Sequence, residues 1–103
     1  MQKTGDNEYK CDPSEWIQIN FTAFPSRENV NIKKSWDDEP LQDVNQNFIR
    51  KKFNGSKMKL TISFSFILHG KCDIEITGNN GVVDNDEAVE IGIPNINEYT
   101  FVP

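Results

Sequence analysis

Lys57–His69 reads KMKLTISFSFILH. Met58, Leu60, Ile62, Phe64, Phe66 and Leu68 take every second position, with Lys57, Lys59, Thr61, Ser63, Ser65 and Ile67 between them. Successive side chains of a strand point to opposite faces, so this spacing gives one apolar face and one mostly polar face. A helix would scatter the same apolar groups around its circumference. The stretch therefore predicts a half-buried central strand in an all-β fold, an antiparallel β-sandwich of jelly-roll type with little or no helix.

The rest of the chain fits that frame. Its 103 residues suffice for one core and not for two. Hydrophobic residues make up 36% and aromatics 11%, which suits a thin two-layer core with many polar loops. The net charge of −5 and pI near 4.7 argue against nucleic acid or an anionic membrane surface as partner. No apolar run approaches the roughly 20 residues that span a bilayer, so membrane insertion is not expected. The opening residues MQKTGDNE lack the apolar centre of a signal peptide. Residues 1–12 read as a flexible polar lead-in, and residues 13–103 as a single sandwich domain.

Within that domain, Glu15–Phe24 (EWIQINFTAF) alternates, with Ile17, Ile19 and Phe21 on one face and Trp16, Gln18, Asn20 and Thr22 on the other. Pro25–Asn29 reads as a turn, and Val30–Trp36 as a strand in a hairpin with its predecessor, ended by Asp37–Pro40. Leu41–Asn47 fits either a helical turn or a loop. Phe48–Phe53 predicts a strand, and Asn54-Gly55 a two-residue turn into the central strand. His69-Gly70-Lys71 predicts a tight reversal, pairing the central strand with Cys72, Ile74 and Ile76. Gly78–Gly81 closes that strand, Asp84–Glu87 reads as a polar loop, and Val89–Ile93 and Tyr99–Val102 as two last short strands. Strands recurring about every 8–12 residues between turn signals are the pattern of a sandwich or barrel.

The chemistry available is sparse. There is one histidine, His69, and no nucleophile motif beside it, so no enzymatic activity is expected. Asp84–Glu87 offers hard oxygen ligands, but the EF-hand order is missing. Zinc would need more cysteine and histidine than the chain has. No metal or cofactor is expected. Cys11 and Cys72 permit one disulfide, although Cys72 also reads as a small buried hydrophobe. Asn20-Phe21-Thr22 and Asn54-Gly55-Ser56 are glycosylation sequons. An extracellular setting is the expectation, with a cytoplasmic one as the alternative. Arg50, Lys51, Lys52, Lys57 and Lys59 could hold a sulfated or phosphorylated partner, or simply protect a sheet edge. Trp36 has two readings as well. Its charged neighbours Lys33, Lys34, Asp37, Asp38 and Glu39 suit an exposed ring stacked on a sugar, whereas its phase with Val30 and Ile32 suits the core.

Phe24-Pro25-Ser26-Arg27, Val30-Asn31 and Trp36-Asp37-Asp38-Glu39 follow in the order of the H-x-N-P-R, V-x-N and W-x-x-E-x-R elements of galectins. Phe53-Asn54-Gly55, the central strand and Ile74–Gly81 continue in register. The chain thus resembles the galectin family of β-sandwich lectins from Trp16 to Gly81. That resemblance implies carbohydrate binding, with Trp36 stacking on the sugar, Glu39 accepting from its hydroxyls, and Asn31 and Arg27 in support. The family's histidine falls at Thr22, its asparagine at Phe24, its first arginine at Ser26 and its second at Leu41. Val89–Ile93 and the Ser35-Trp36-Asp37…Pro40 order are similar to the β domain named for farnesoic acid O-methyltransferase. No glycine-rich methyl-donor turn accompanies them. The expectation is a non-catalytic recognition module for a glycan or glycoprotein. The alternative is a protein-interaction domain that kept the sandwich and lost the sugar site.

Overall fold

The computed structural model describes residues 1–103. Ten strands form two sheets. They are β1 (Gln2–Gly5), β2 (Glu8–Lys10), β3 (Trp16–Phe24), β4 (Val30–Trp36), β5 (Gln42–Val44), β6 (Phe48–Lys52), β7 (Met58–Phe66), β8 (Lys71–Gly78), β9 (Gly81–Val89) and β10 (Asn95–Val102). A six-stranded sheet runs β1-β2-β10-β7-β4-β5, and a four-stranded sheet runs β6-β3-β8-β9. Every pairing is antiparallel except β2 with β10. The only helical piece is a 3-10 turn at Arg27–Asn29, with the Ser26 hydroxyl accepting from the Glu28 N–H. The fold is an all-β sandwich.

β7 holds the centre of the larger sheet, between β4 and β10. Met58, Leu60, Ile62 and Phe64 are buried on its inner face, as the alternation predicts. They meet Ile17, Ile19, Phe21, Ile74 and Ile76 of the smaller sheet, with Phe21 edge-on to Phe64 at 5.9 Å. The strand ends two residues before Leu68, so Ile67 and Leu68 are exposed in the following loop.

Several local expectations are corrected. β7 does not pair with β8. Both edges of β7 are already taken, so Ile67–Gly70 carries the chain across to the other sheet. Asn29 holds that crossing by donating to the carbonyls of Leu68 (2.9 Å) and His69 (3.3 Å). A side chain at Gly70 would strike the Phe24 carbonyl and the Asn29 amide, which leaves glycine as the residue that fits. β3 and β4 likewise form no hairpin: Pro25–Asn29 is a second crossing, and β3 pairs with β6 and β8. Gln42–Val44 is neither helix nor loop but a short edge strand on β4. Asp84–Glu87 lies within strand β9, and Val89–Ile93 ends that strand rather than forming one.

The expected flexible lead-in is also folded. Gln2–Lys10 forms a hairpin at the edge of the larger sheet, and Tyr9 is fully buried. Its ring stacks on Phe101 at 5.4 Å, so a segment polar in composition contributes one of the largest core side chains. The Met1 ammonium lies 2.8 Å from a Glu15 carboxylate oxygen.

Candidate functional site

The residues expected to form a sugar site do not converge. Trp36 is only 4% exposed, its ring 6.0 Å from Phe101 inside the sandwich. A sugar cannot stack on it. Its phase with Val30 and Ile32 points it inward despite its charged neighbours. Asn31, one residue out of that phase, is exposed on the opposite face of β4. Glu39 is exposed in the turn after β4, where its own N–H donates to the Trp36 carbonyl at 3.1 Å. Arg27 is committed to the backbone, donating to the carbonyls of Val30 (2.8 Å), Val44 (2.5 Å) and Gln46 (3.3 Å). It staples the 3-10 turn to the chain leading into β6.

Cys11 and Cys72 are buried free thiols. Cys11 lies near Glu15, which binds the Asn79 N–H, whereas Cys72 is the second residue of β8, seven residues before Asn79. Seven strand residues span about 23 Å, far beyond the roughly 4 Å between bridged Cβ atoms. Burial pushes both thiols up to about 11, so neither is a ready nucleophile. His69 is exposed in the β7–β8 crossing, 3.4 Å from Glu90. Of the two sequons, Asn54 is exposed in a turn, while the Asn20 amide nitrogen is tied to Glu75 at 3.1 Å.

The outer face of the four-stranded sheet does gather functional side chains. The strand phase that buries Ile17, Ile19 and Phe21 turns Trp16, Gln18, Asn20, Thr22 and Phe24 outward. Register then sets Trp16 beside Lys52, and Gln18 between Arg50 and Thr77. It also sets Asn20 between Phe48 and Glu75, and Thr22 beside Asp73. Trp16 is 42% exposed. The Arg50 guanidinium lies 4.2 Å from its ring centre and the Lys52 ammonium 5.9 Å. Next to the ring the polar groups are already ordered: the Gln18 amide donates to Asn20 at 2.8 Å, and Asn20 donates to Glu75 at 3.1 Å. A shallow depression beyond them is lined by Asn20, Thr22, Asp73, Glu75, Asn85 and Glu87. Lys71 bridges Asp73 (3.6 Å) and Glu87 (3.3 Å), and these neighbours raise the basicity of its amine.

The start of β3 is anchored beneath Trp16. Buried Glu15 accepts from the N–H groups of Asp12 and Asn79, both at 3.0 Å. Asn79 in turn accepts from the Trp16 N–H at 3.1 Å. Burial alone would raise the Glu15 carboxyl, but the Met1 ammonium and these N–H donors outweigh it and hold it below its usual range.

A second polar cluster closes the far edge of the sandwich, at Asp84–Glu87, where the sequence predicts a loop and the structure has strand β9. Asp84 and Asp86 face inward from β9. Tyr9 donates to Asp84 at 2.6 Å, and Tyr99 donates to Asp86 at 2.9 Å. The same two carboxylates accept from the N–H groups of Asn85 (2.9 Å) and Glu87 (2.8 Å). Burial and the adjacent carboxylates push both phenols up. Asp84 is held down, because Tyr9, Lys3 and the Asn85 N–H outweigh its burial. Oxygens engaged this way are structural, a clasp between two sheets. No family model, curated protein or solved structure gives a significant match to this chain.

Proposed function

We propose that this chain is a non-catalytic recognition module that holds carbohydrate on the outer face of the four-stranded sheet. The observation that carries this is Trp16, a half-exposed ring at one end of a pre-ordered row of amides, carboxylates and hydroxyls. An aromatic face takes the C–H side of a sugar ring, while Gln18, Asn20, Glu75 and Thr77 can pair with its hydroxyls. Because these groups are already bonded to one another, little side-chain entropy is lost on binding. The role that the galectin resemblance gave to Trp36 passes to Trp16. Glycan-array binding by the full chain tests this, with Trp16→Ala expected to abolish the signal while the chain still melts cooperatively as a folded domain, its stability lowered by about 1 kcal/mol or less. Binding that survives the substitution removes the site.

A second reading, a protein-interaction domain, is favoured by one separate observation. Phe24, Ile67, Leu68, Ile91 and Ile93 are exposed near the two crossings and the β9–β10 loop. Saturable protein binding that is lost in Leu68→Asp and kept in Trp16→Ala would select it.

A further inference from the structure

The charges around Trp16 narrow what such a sugar must carry. Arg50 and Lys52 have no carboxylate within ion-pair distance, in a chain with 16 acidic residues and 11 lysines and arginines. Lys71, the other cation on this face, is engaged by two carboxylates. The Arg50 side chain makes no hydrogen bond to the protein; its guanidinium lies over the indole at 4.2 Å. A guanidinium held over a ring keeps its N–H donors free, and these form a fork matched to carboxylate or sulfate oxygens. Lys52 lies two residues along the same strand and face, about 6.7 Å away along the backbone. Lys51, between them, points to the other side, 6.0 Å from the Trp36 ring.

The acidic half of the face does not cancel this pair. Glu75, in the Asn20 row, is the nearest carboxylate across the face, two residues along and two strands over from Arg50, about 12 Å in all, and Asp73 is two residues further. The screening length at physiological salt is about 8 Å. The face is therefore divided into a cationic aromatic end and an end of carboxylates, the latter suited to accept from hydroxyls.

We infer that the ligand is an anionic glycan whose carboxylate or sulfate is held by Arg50 and Lys52 beside Trp16, with its neutral hydroxyls toward Glu75 and Asp73. This rests on the proposed sugar site and adds the charge of the ligand. The same two residues on an edge strand also discourage sheet-to-sheet pairing, a role that needs no ligand.

Titration calorimetry on the full chain tests the inference with four probes. These are a uronate oligosaccharide, a sulfated oligosaccharide of similar length, a neutral one, and oligoglutamate. At least one anionic sugar is expected to bind about tenfold or more tightly than the neutral one, the equivalent of about 1.4 kcal/mol. In Arg50→Gln/Lys52→Gln that advantage should disappear while neutral-sugar affinity changes less than about twofold. The advantage should also fall between low and physiological salt. Lys33→Gln, on the outer face of the other sheet, should change nothing. Comparison of the two anionic arms assigns carboxylate or sulfate. Equal binding of neutral and anionic sugars overturns the charge requirement while leaving the sugar site standing. Binding of oligoglutamate with no sugar binding overturns both, and so does the absence of any binding.

Discussion

The two tryptophans flank a single strand and meet opposite fates. Alternate residues of β6 serve both. Lys51 reaches inward to Trp36, whereas Arg50 and Lys52 reach outward to Trp16. Each ring has cations beside it, yet one is 4% exposed and the other 42%. The difference lies in strand phase. Trp36 shares its phase with Val30 and Ile32, while Trp16 is out of phase with Ile17, Ile19 and Phe21. Of its charged sequence neighbours, Lys33 and Lys34 lie within its strand and Asp37, Asp38 and Glu39 occupy the turn after it, and none of them keeps the ring in water.

The widest separation between the two is expected in stability. Trp36→Ala removes a ring packed against Phe101 and should cost about 3–5 kcal/mol in denaturant unfolding. Trp16→Ala loses a partly exposed ring and its cation contacts, with an expected cost of about 1 kcal/mol or less. Equal losses in the two variants would break the comparison. Phe64→Ala should match Trp36→Ala, because Phe64 is fully buried on β7.

A smaller effect distinguishes aromatic–charge contacts inside the sandwich from those outside. Tyr9→Phe keeps the ring and removes the hydrogen bond to Asp84. The bond reaches a partly buried carboxylate, so its loss should cost about 1.5–3 kcal/mol. Replacing Arg50 by Gln beside exposed Trp16 should cost about 0.5–1 kcal/mol by the same unfolding measurement. A Tyr9→Phe variant as stable as the parent would mean that the clasp contributes nothing.

How much of this was legible follows the same division. Period-two patterning in Lys57–His69 and Glu15–Phe24 marked both central strands and their inner faces, because burial of one face imposes it. Sheet partnership was not legible. Hairpins were expected at Pro25–Asn29 and His69–Lys71, but a turn signal marks a reversal without stating whether the chain pairs or crosses. β9 was hidden because Asp84 and Asp86 face inward, where their partners are tyrosines about 75 and 13 residues away. The outward row Trp16, Gln18, Asn20 and Thr22 was legible as a face. Arg50 and Lys52 were legible as members of a basic cluster but not as neighbours of Trp16, since only the β3–β6 register brings them there.

The finest test concerns the anchor beneath Trp16. Glu15 and Asp84 both have carboxyls held below their unfolded values, which lie near 4. A depressed carboxyl contributes its stability in full above the unfolded value and loses it as pH falls toward the folded one. Unfolding free energy should therefore be flat in these two groups above about pH 5 and decline below about pH 4, by up to about 1.4 kcal/mol per pH unit for each. Glu15→Gln and Asp84→Asn should each flatten that decline, measured by urea unfolding from pH 6 to pH 2. They should differ at the Trp16 face. Protonating Glu15 weakens its hold on the Asn79 N–H, and Asn79 is the acceptor for Trp16. Trp16 fluorescence should then shift before global unfolding in the parent. The shift should persist in Asp84→Asn and be absent in Glu15→Gln, whose spectrum stays constant over the same pH range. An acid shift of equal size in both variants would detach the Trp16 platform from the Glu15 anchor.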